Sequence, residues 1–275
     1  MGEITLAVVP SSTPGDARLA LDSLCIALTK LLDTPVHGIN CASYSDLALE
    51  LEKDRVDYAW MSPTLMILTH ENIQLRPLLS AVRDDRTSYR SALFVDGAKS
   101  FYTLEDVQNG VVAWVDRTSA AGYIVPRIHL AARGFDPTRY FRKELFLRSH
   151  AEAVRAVLDG RADVGATYGQ RPDDDGDEVI RAGFLHVAPN RHVRVLAWTR
   201  EIPNDVIVGH GLLPKPEQRA FSNAILTLSQ RDDVGRRLLY NVFHAERFET
   251  PERNALRPAQ ELVALAREHG LMSQL

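Results

Sequence analysis

The residues best suited to chemistry in this chain form a run of small side chains, Asp116-Arg117-Thr118-Ser119-Ala120-Ala121-Gly122-Tyr123. The run joins a strand-like segment, Val111–Val115, to a helical pattern that holds Tyr123, Ile124 and Val125. Pro126 falls in the first turns of that helix, where proline is tolerated. A helix start leaves its first four backbone N–H groups unpaired and carries partial positive charge. Ala120, Ala121 and Gly122 are small enough to let an anion reach those groups, and Thr118 and Ser119 add hydroxyl donors. Hydrogen bonds to a charged partner contribute about 1.5–3 kcal/mol each. Three to five of them can supply the roughly 8 kcal/mol of a micromolar site, before desolvation costs. The same run also reads as an ordinary N-cap with no ligand.

Other candidates stand at similar junctions. His150, in Ser149-His150-Ala151-Glu152-Ala153, opens another helix, where its ring can donate to an oxyanion or serve as a cap or surface group. Tyr44, Tyr89 and Trp60 fall at element ends, either lining a pocket or filling the core. Asp205, in the turn Ile202-Pro203-Asn204-Asp205, can hold a ligand amine or cap the turn. The cluster Asp173–Asp175 lacks the alternating spacing and closing glutamate of a calcium loop and reads as a solvated acidic loop. The motifs G-x-S-x-G, G-x-x-x-x-G-K-[ST], H-E-x-x-H and G-x-G-x-x-G do not occur, and no cofactor is expected. Cys25 and Cys41 read as two buried thiols, with a disulfide left open.

The elements that position these residues alternate in type. Ile4–Val9, Val36–Cys41, Val56–Trp60 and Leu75–Ala81 read as strands, with helices over Ala17–Leu32, Tyr44–Glu52 and Leu65–Glu71 between them. A second series follows, with strands at Ser91–Val95, Val111–Val115, Glu144–Arg148, Ala162–Ala166, Val193–Thr199 and Val206–Val208. The chain from Pro214 to Leu275 reads mainly as helix. Such strand–helix–strand units predict an α/β fold with mostly parallel sheets flanked by helices. Two sheets on 275 residues predict two lobes with a ligand cleft between them. The expected division is 1–90 for the first part of lobe 1, 91–200 for lobe 2 and 201–275 for the return to lobe 1.

A formal net charge of −4 gives no field to gather nucleic acid or anionic lipid, so an anion must be held locally. No apolar run has membrane-spanning length. Met1-Gly2-Glu3 leads straight into the first strand, with no signal visible. The expected compartment is the periplasm or cell envelope if a signal was removed, and the cytoplasm otherwise.

In order along the chain, these segments resemble the phosphonate-type substrate-binding proteins of ABC transporters, with the type II periplasmic binding fold. The resemblance rests on Ala42-Ser43-Tyr44-Ser45-Asp46, Arg55-Val56-Asp57-Tyr58-Ala59-Trp60, Tyr89-Arg90-Ser91 and the Asp116–Pro126 turn and helix. Gly134-Phe135-Asp136-Pro137, Ser149-His150, Gly160-Arg161-Ala162-Asp163-Val164 and Ile202-Pro203-Asn204-Asp205 complete it. It implies non-catalytic binding of a small oxyanion, closure of the lobes on it, and a monomer that meets a membrane permease. The implied ligand set is Tyr44, Ser62, Tyr89, Thr118, Ser119, Ala120, Ala121, Gly122, His150, Gln170 and Asp205. Two departures stand out. Ala120 and Ala121 replace hydroxyl residues of the family turn, and Gln170 stands where some members carry an amine-binding carboxylate. With Gln170 an amine would meet one charge instead of two, which points away from an aminoalkyl phosphonate and leaves phosphate, phosphite, methylphosphonate or a different small anion open. An intracellular sensor of the same fold and an enzyme resembling the thiamine-pyrimidine synthases are the rival readings.

Overall fold

The computed structural model describes residues 2–9, 14–70, 73–117, 119–170, 179, 181–245 and 247–271. Thr118 and the acidic cluster Asp173–Asp175 lie outside the described residues, as does the side chain of Tyr44.

In chain order the elements are β1 (Ile4–Val8), α1 (Pro14–Leu32), β2 (Val36–Asn40), α2 (Tyr44–Glu52), β3 (Tyr58–Met61), α3 (Pro63–His70) and β4 (Leu75–Val82). Next come β5 (Ser88–Asp96), a 3-10 turn (Glu105–Val107), β6 (Val111–Trp114), a π-helical turn (Ala120–Ile124), α4 (Val125–Ala132), β7 (Lys143–Phe146), α5 (His150–Leu158) and β8 (Val164–Gln170). The remainder is β9 (Arg181–Ala182), α6 (Gly183–Val187), β10 (Val193–Trp198), β11 (Ile202–Pro203), β12 (Val206–His210), α7 (Lys215–Arg231), α8 (Asp233–Phe243), β13 (Arg247–Glu249) and α9 (Arg257–Glu268). Polar side chains start several helices by accepting an otherwise unpaired N–H. Ser43 takes that of Asp46 at α2, Ser149 that of Glu152 at α5, and Asp232 that of Gly235 at α8.

Two compact units result: Met1–Thr87 with Pro203–Gln260, and Ser88–Ile202 with Glu261–Leu275. The expected division kept all of 201–275 in the first lobe. The last fifteen residues instead group with the second unit, because Leu262, Ala266 and Leu271 bury in its core.

The first unit is built on a six-stranded sheet in the order β13-β4-β12-β3-β1-β2. Strands β2, β1 and β3 run parallel; β12, β4 and β13 extend the sheet antiparallel. The second sheet follows the order β10-β5-β8-β6-β7, with β7, β6 and β8 parallel and β5 and β10 antiparallel. Each sheet is therefore mixed, where mostly parallel sheets were expected. A parallel neighbour needs a long crossover, usually a helix. Strands β5 and β12 enter their units directly from the other unit, with no such helix before them.

Both sheets are buried on two faces, which the alternation of side chains makes visible. In the first unit Leu6, Tyr58, Trp60 and Ile207 face α1, α7 and α8, while Ala7, Ala59, Met61, Val206 and Val208 face the side that holds Leu47, Leu51 and Met66. Tyr58 stacks on Phe221 with centroids 3.7 Å apart. In the second unit Val112 and Trp114 point to one core, Ala113 and Val115 to the other. Fully burying a large apolar side chain contributes about 1.5–3 kcal/mol, so these two-sided strands anchor the loops that follow them. Cys25 and Cys41 are buried and unpaired, and burial pushes both thiols up to about 11. Among the described residues no helix is long and apolar enough to cross a membrane.

Candidate functional site

Within the second unit, strands β6, β7 and β8 end at one edge of the sheet. The π-turn follows β6, α5 follows β7, and Gln170 closes β8. Strand β5 runs antiparallel to β8, pairing Arg90 with Gly169, so its first residues, Tyr89 included, stand at the same edge. The fold thus brings Tyr89, Ser119, Ala120, Ala121, Gly122, His150 and Gln170 to one strand-end face, although 30 or more residues separate several of them in sequence. This is where open α/β sheets place ligands.

The turn after β6 is wound as a π-helix and leads into α4, whose second residue is Pro126. The N–H groups of Ile124 and Val125 reach back five residues, to the carbonyls of Ser119 and Ala120. Ser119 is the N-cap, and its Oγ accepts the N–H of Gly122 at 3.0 Å. The expectation that Gly122 offers its N–H to a ligand therefore meets a competitor, since a cap satisfies one of the orphan donors locally. Among the described residues the N–H groups of Ala120 and Ala121 have no acceptor, and neither has the proton of the Ser119 hydroxyl. All three belong to one short arc. Beneath it Tyr123 is buried against Trp114 and Phe146. Burial pushes its phenol up, against the pull of Arg127 and Arg117. Arg117 itself lies over the Phe146 ring at 4.6 Å and donates to the Tyr123 hydroxyl at 3.3 Å, which sets a positive charge close to the turn.

His150 is the first residue of α5. Its Nδ1 lies 3.0 Å from the buried Thr167 hydroxyl, and its ring meets the edge of Tyr168 at 5.0 Å. The Tyr168 hydroxyl in turn pairs with His186 Nδ1 at 2.7 Å, and Arg181 lies over the Tyr168 ring. These contacts fix the imidazole at the sheet edge. Gln170 is buried, and its Nε2 has no partner among the described residues. A buried donor left unsatisfied costs about 1–3 kcal/mol, so an acceptor there is strongly favoured. Tyr168, His186 and Thr167 were not singled out from sequence. Their association depends on strand register and on α6, a five-residue helix with no periodic signal of its own.

In the first unit the parallel strands also share a carboxyl edge. Tyr44 opens α2 there, and Ser62 caps α3 by accepting the N–H of Leu65 at 3.2 Å. The nearby Thr64 hydroxyl, missed in the sequence, is buried with no partner among the described residues. Trp60, left open between pocket and core, is core, packed on Phe243 and Phe248. Asp205 is engaged: its Oδ2 accepts from Arg83 Nη2 at 2.8 Å. Arg83 also donates to the carbonyls of His244 and Phe243 and lies over Trp60.

Comparison with known proteins identifies the family and the fold. The family model described as "ABC transporter, phosphonate, periplasmic substrate-binding protein" matches residues 6–256. The chain superposes on a binding protein component of an ABC phosphonate transporter from Pseudomonas aeruginosa with a TM-score of 0.78 at 16% identity, covering 100% of this chain and 89% of that one. A Xanthomonas citri protein bound to ATP gives 0.77 at 18% identity, covering 98% of each chain. PhnD1 from Prochlorococcus marinus, in complex with methylphosphonate, gives 0.74 at 17% identity, covering 97% of each chain. The fold is that of type II periplasmic binding proteins. With the family model spanning nearly its whole length, the chain belongs to the periplasmic phosphonate substrate-binding proteins of ABC transporters.

Proposed function

We propose that this chain binds a small oxyanion, a simple phosphonate, phosphite or phosphate, at the carboxyl edge of the second unit's sheet and releases it unchanged. It would do so as a monomer that presents its cargo to a membrane permease. The observation that carries the reading is the arc at the π-turn, where two backbone N–H groups and one hydroxyl proton, at Ala120, Ala121 and Ser119, have no acceptor among the described residues. An oxyanion supplies three acceptors in the geometry such an arc needs. His150, Tyr89 and Gln170 stand at the same edge as further donors. Thr118 remains a candidate by its place in the turn, and Tyr44 and Ser62 by theirs at the carboxyl edge of the first unit. A periplasmic setting follows the family.

The ligand class follows from charge. An aminoalkyl phosphonate needs a carboxylate for its ammonium group. Gln170 is neutral, and the carboxylate of Asp205 is already matched by Arg83. Simple oxyanions therefore suit the site better.

A thermal-shift series tests this reading. Methylphosphonate, phosphite and phosphate are expected to raise the melting temperature by several degrees at a hundredfold excess over Kd, about 2.7 kcal/mol of linkage. 2-Aminoethylphosphonate is expected to do less than methylphosphonate. A flat response to all the anions would dismiss the proposal. Asp205→Ala has a separate expected outcome: stability falls by roughly 2 kcal/mol, because Arg83 loses its partner in a half-buried setting, while methylphosphonate affinity stays within twofold. A large loss of affinity in that variant would return Asp205 to the ligand set.

A further inference from the structure

Pro126 leaves the carbonyls of the π-turn without their usual partners. In α-helical winding the Gly122 carbonyl would accept from residue 126; in π winding the Ala121 carbonyl would. Proline has no N–H to give either of them. The Gly122 carbonyl is served instead by the N–H of Val115, at 3.2 Å. The Ala121 carbonyl is served by the hydroxyl of Ser91, at 2.6 Å, from a residue that is itself fully buried near the start of β5. Ser91 is held in turn: its N–H donates to Thr199 Oγ1 at 3.0 Å, and the N–H of Thr199 donates back to the Ser91 carbonyl.

We infer that Ser91 is a positioning residue for anion binding, acting through the peptide between Ala121 and Gly122. That peptide is fixed at both ends. Its carbonyl accepts from Ser91, and its N–H donates to Ser119 Oγ at 3.0 Å. The bonds run in one direction, from the Ser91 O–H through the amide to the Ser119 oxygen, so that each polarises the next. Because the Ser119 oxygen accepts at this point, its own proton is turned away from the helix. The peptide before it, which carries the Ala121 N–H, is held separately by the Val125 N–H on the Ala120 carbonyl. A ligand that meets Ser119 therefore meets a hydroxyl whose direction a residue from β5 has set. The inference rests on the π-turn being the anion site.

The test uses the whole chain, with methylphosphonate as probe, by calorimetry and chemical denaturation. Ser91→Ala is expected to weaken affinity about tenfold or more, and Ser91→Thr, which keeps the hydroxyl, to restore most of it. Ser91→Cys keeps the volume but is a weak donor, and is expected to fall between them. It also stands in if the alanine variant does not fold. The decisive comparison is with Ser119→Ala. If Ser91 acts through the Ser119 hydroxyl, the double variant binds no more weakly than Ser119→Ala alone. Wild-type affinity in both Ser91→Ala and Ser91→Cys, or additive losses in the double variant, would overturn the positioning role. If Ser119→Asp binds methylphosphonate as the wild type does, the site reading itself has failed and the role of Ser91 falls with it.

Discussion

Replacing Ser119 with aspartate is expected to remove anion binding, by a hundredfold or more in affinity, and to leave the fold intact. The two halves of that expectation have separate causes. Aspartate is as good an N-cap as serine, so its carboxylate can accept the Gly122 N–H that Ser119 Oγ now takes at 3.0 Å. The π-turn and α4 behind it keep their start. The hydroxyl proton is lost, however, and a negative charge now stands where the ligand's own charge must come. Two unit charges 4 Å apart interact by about 4 kcal/mol at the effective dielectric of a protein surface, close to a thousandfold in affinity before any lost donor is counted. Calorimetry with methylphosphonate and a denaturation curve check both halves. Unchanged affinity would remove Ser119 from the site. A collapse of stability would mean that the loss of binding says nothing about charge. Added salt should recover part of the binding, because the repulsion is electrostatic.

Much of this architecture is legible in the sequence, and the gaps have physical reasons. The parallel core of each sheet is written in alternating strand and helix patterns, and helix starts such as Tyr44 and His150 are marked by the serines before them. The direction of β5, β12 and β4 is not written locally, because a buried strand looks the same whichever way its neighbour runs. Strands of two or three residues, β9, β11 and β13, are too short to carry a period. The tail from Glu261 shows a helical pattern but not which core receives Leu262 and Ala266. At the site, the small residues and hydroxyls of the turn were readable as a candidate anion-binding arc. That Ser119 caps the turn was one of the two readings the sequence left open, and its oxygen does take the Gly122 N–H. That Asp205 would meet Arg83, 122 positions earlier, was not readable, because it depends on which strands lie side by side. Pro126 was readable as a proline near a helix start, but the recruitment of Ser91 as a substitute donor needs β5, 30 positions earlier, beside the turn.

The second large effect is expected at Gly122, and it is steric where that at Ser119 is electrostatic. A Cβ added there would stand 2.4 Å from Val115 Cγ2, 2.5 Å from Val115 Cβ and 2.8 Å from Ser119 Oγ. Its backbone conformation is one any residue can adopt, so the demand for glycine is one of space alone. The turn cannot step back to make room, because the Gly122 carbonyl accepts the N–H of the same Val115 and Val115 is buried in the core. Gly122→Ala must therefore either stretch that bond or push Ser119 off its cap. Overpacking of this kind costs about 1–3 kcal/mol, and denaturation should report a loss in that range. Whichever way the strain is relieved, Ser119 Oγ and the N–H groups of Ala120 and Ala121 no longer point together, and methylphosphonate affinity is expected to fall at least tenfold. Unlike the loss caused by Ser119→Asp, this one should not recover with salt. If Gly122→Ala loses stability but keeps its affinity, the arc of the π-turn is structural and the anion is held elsewhere.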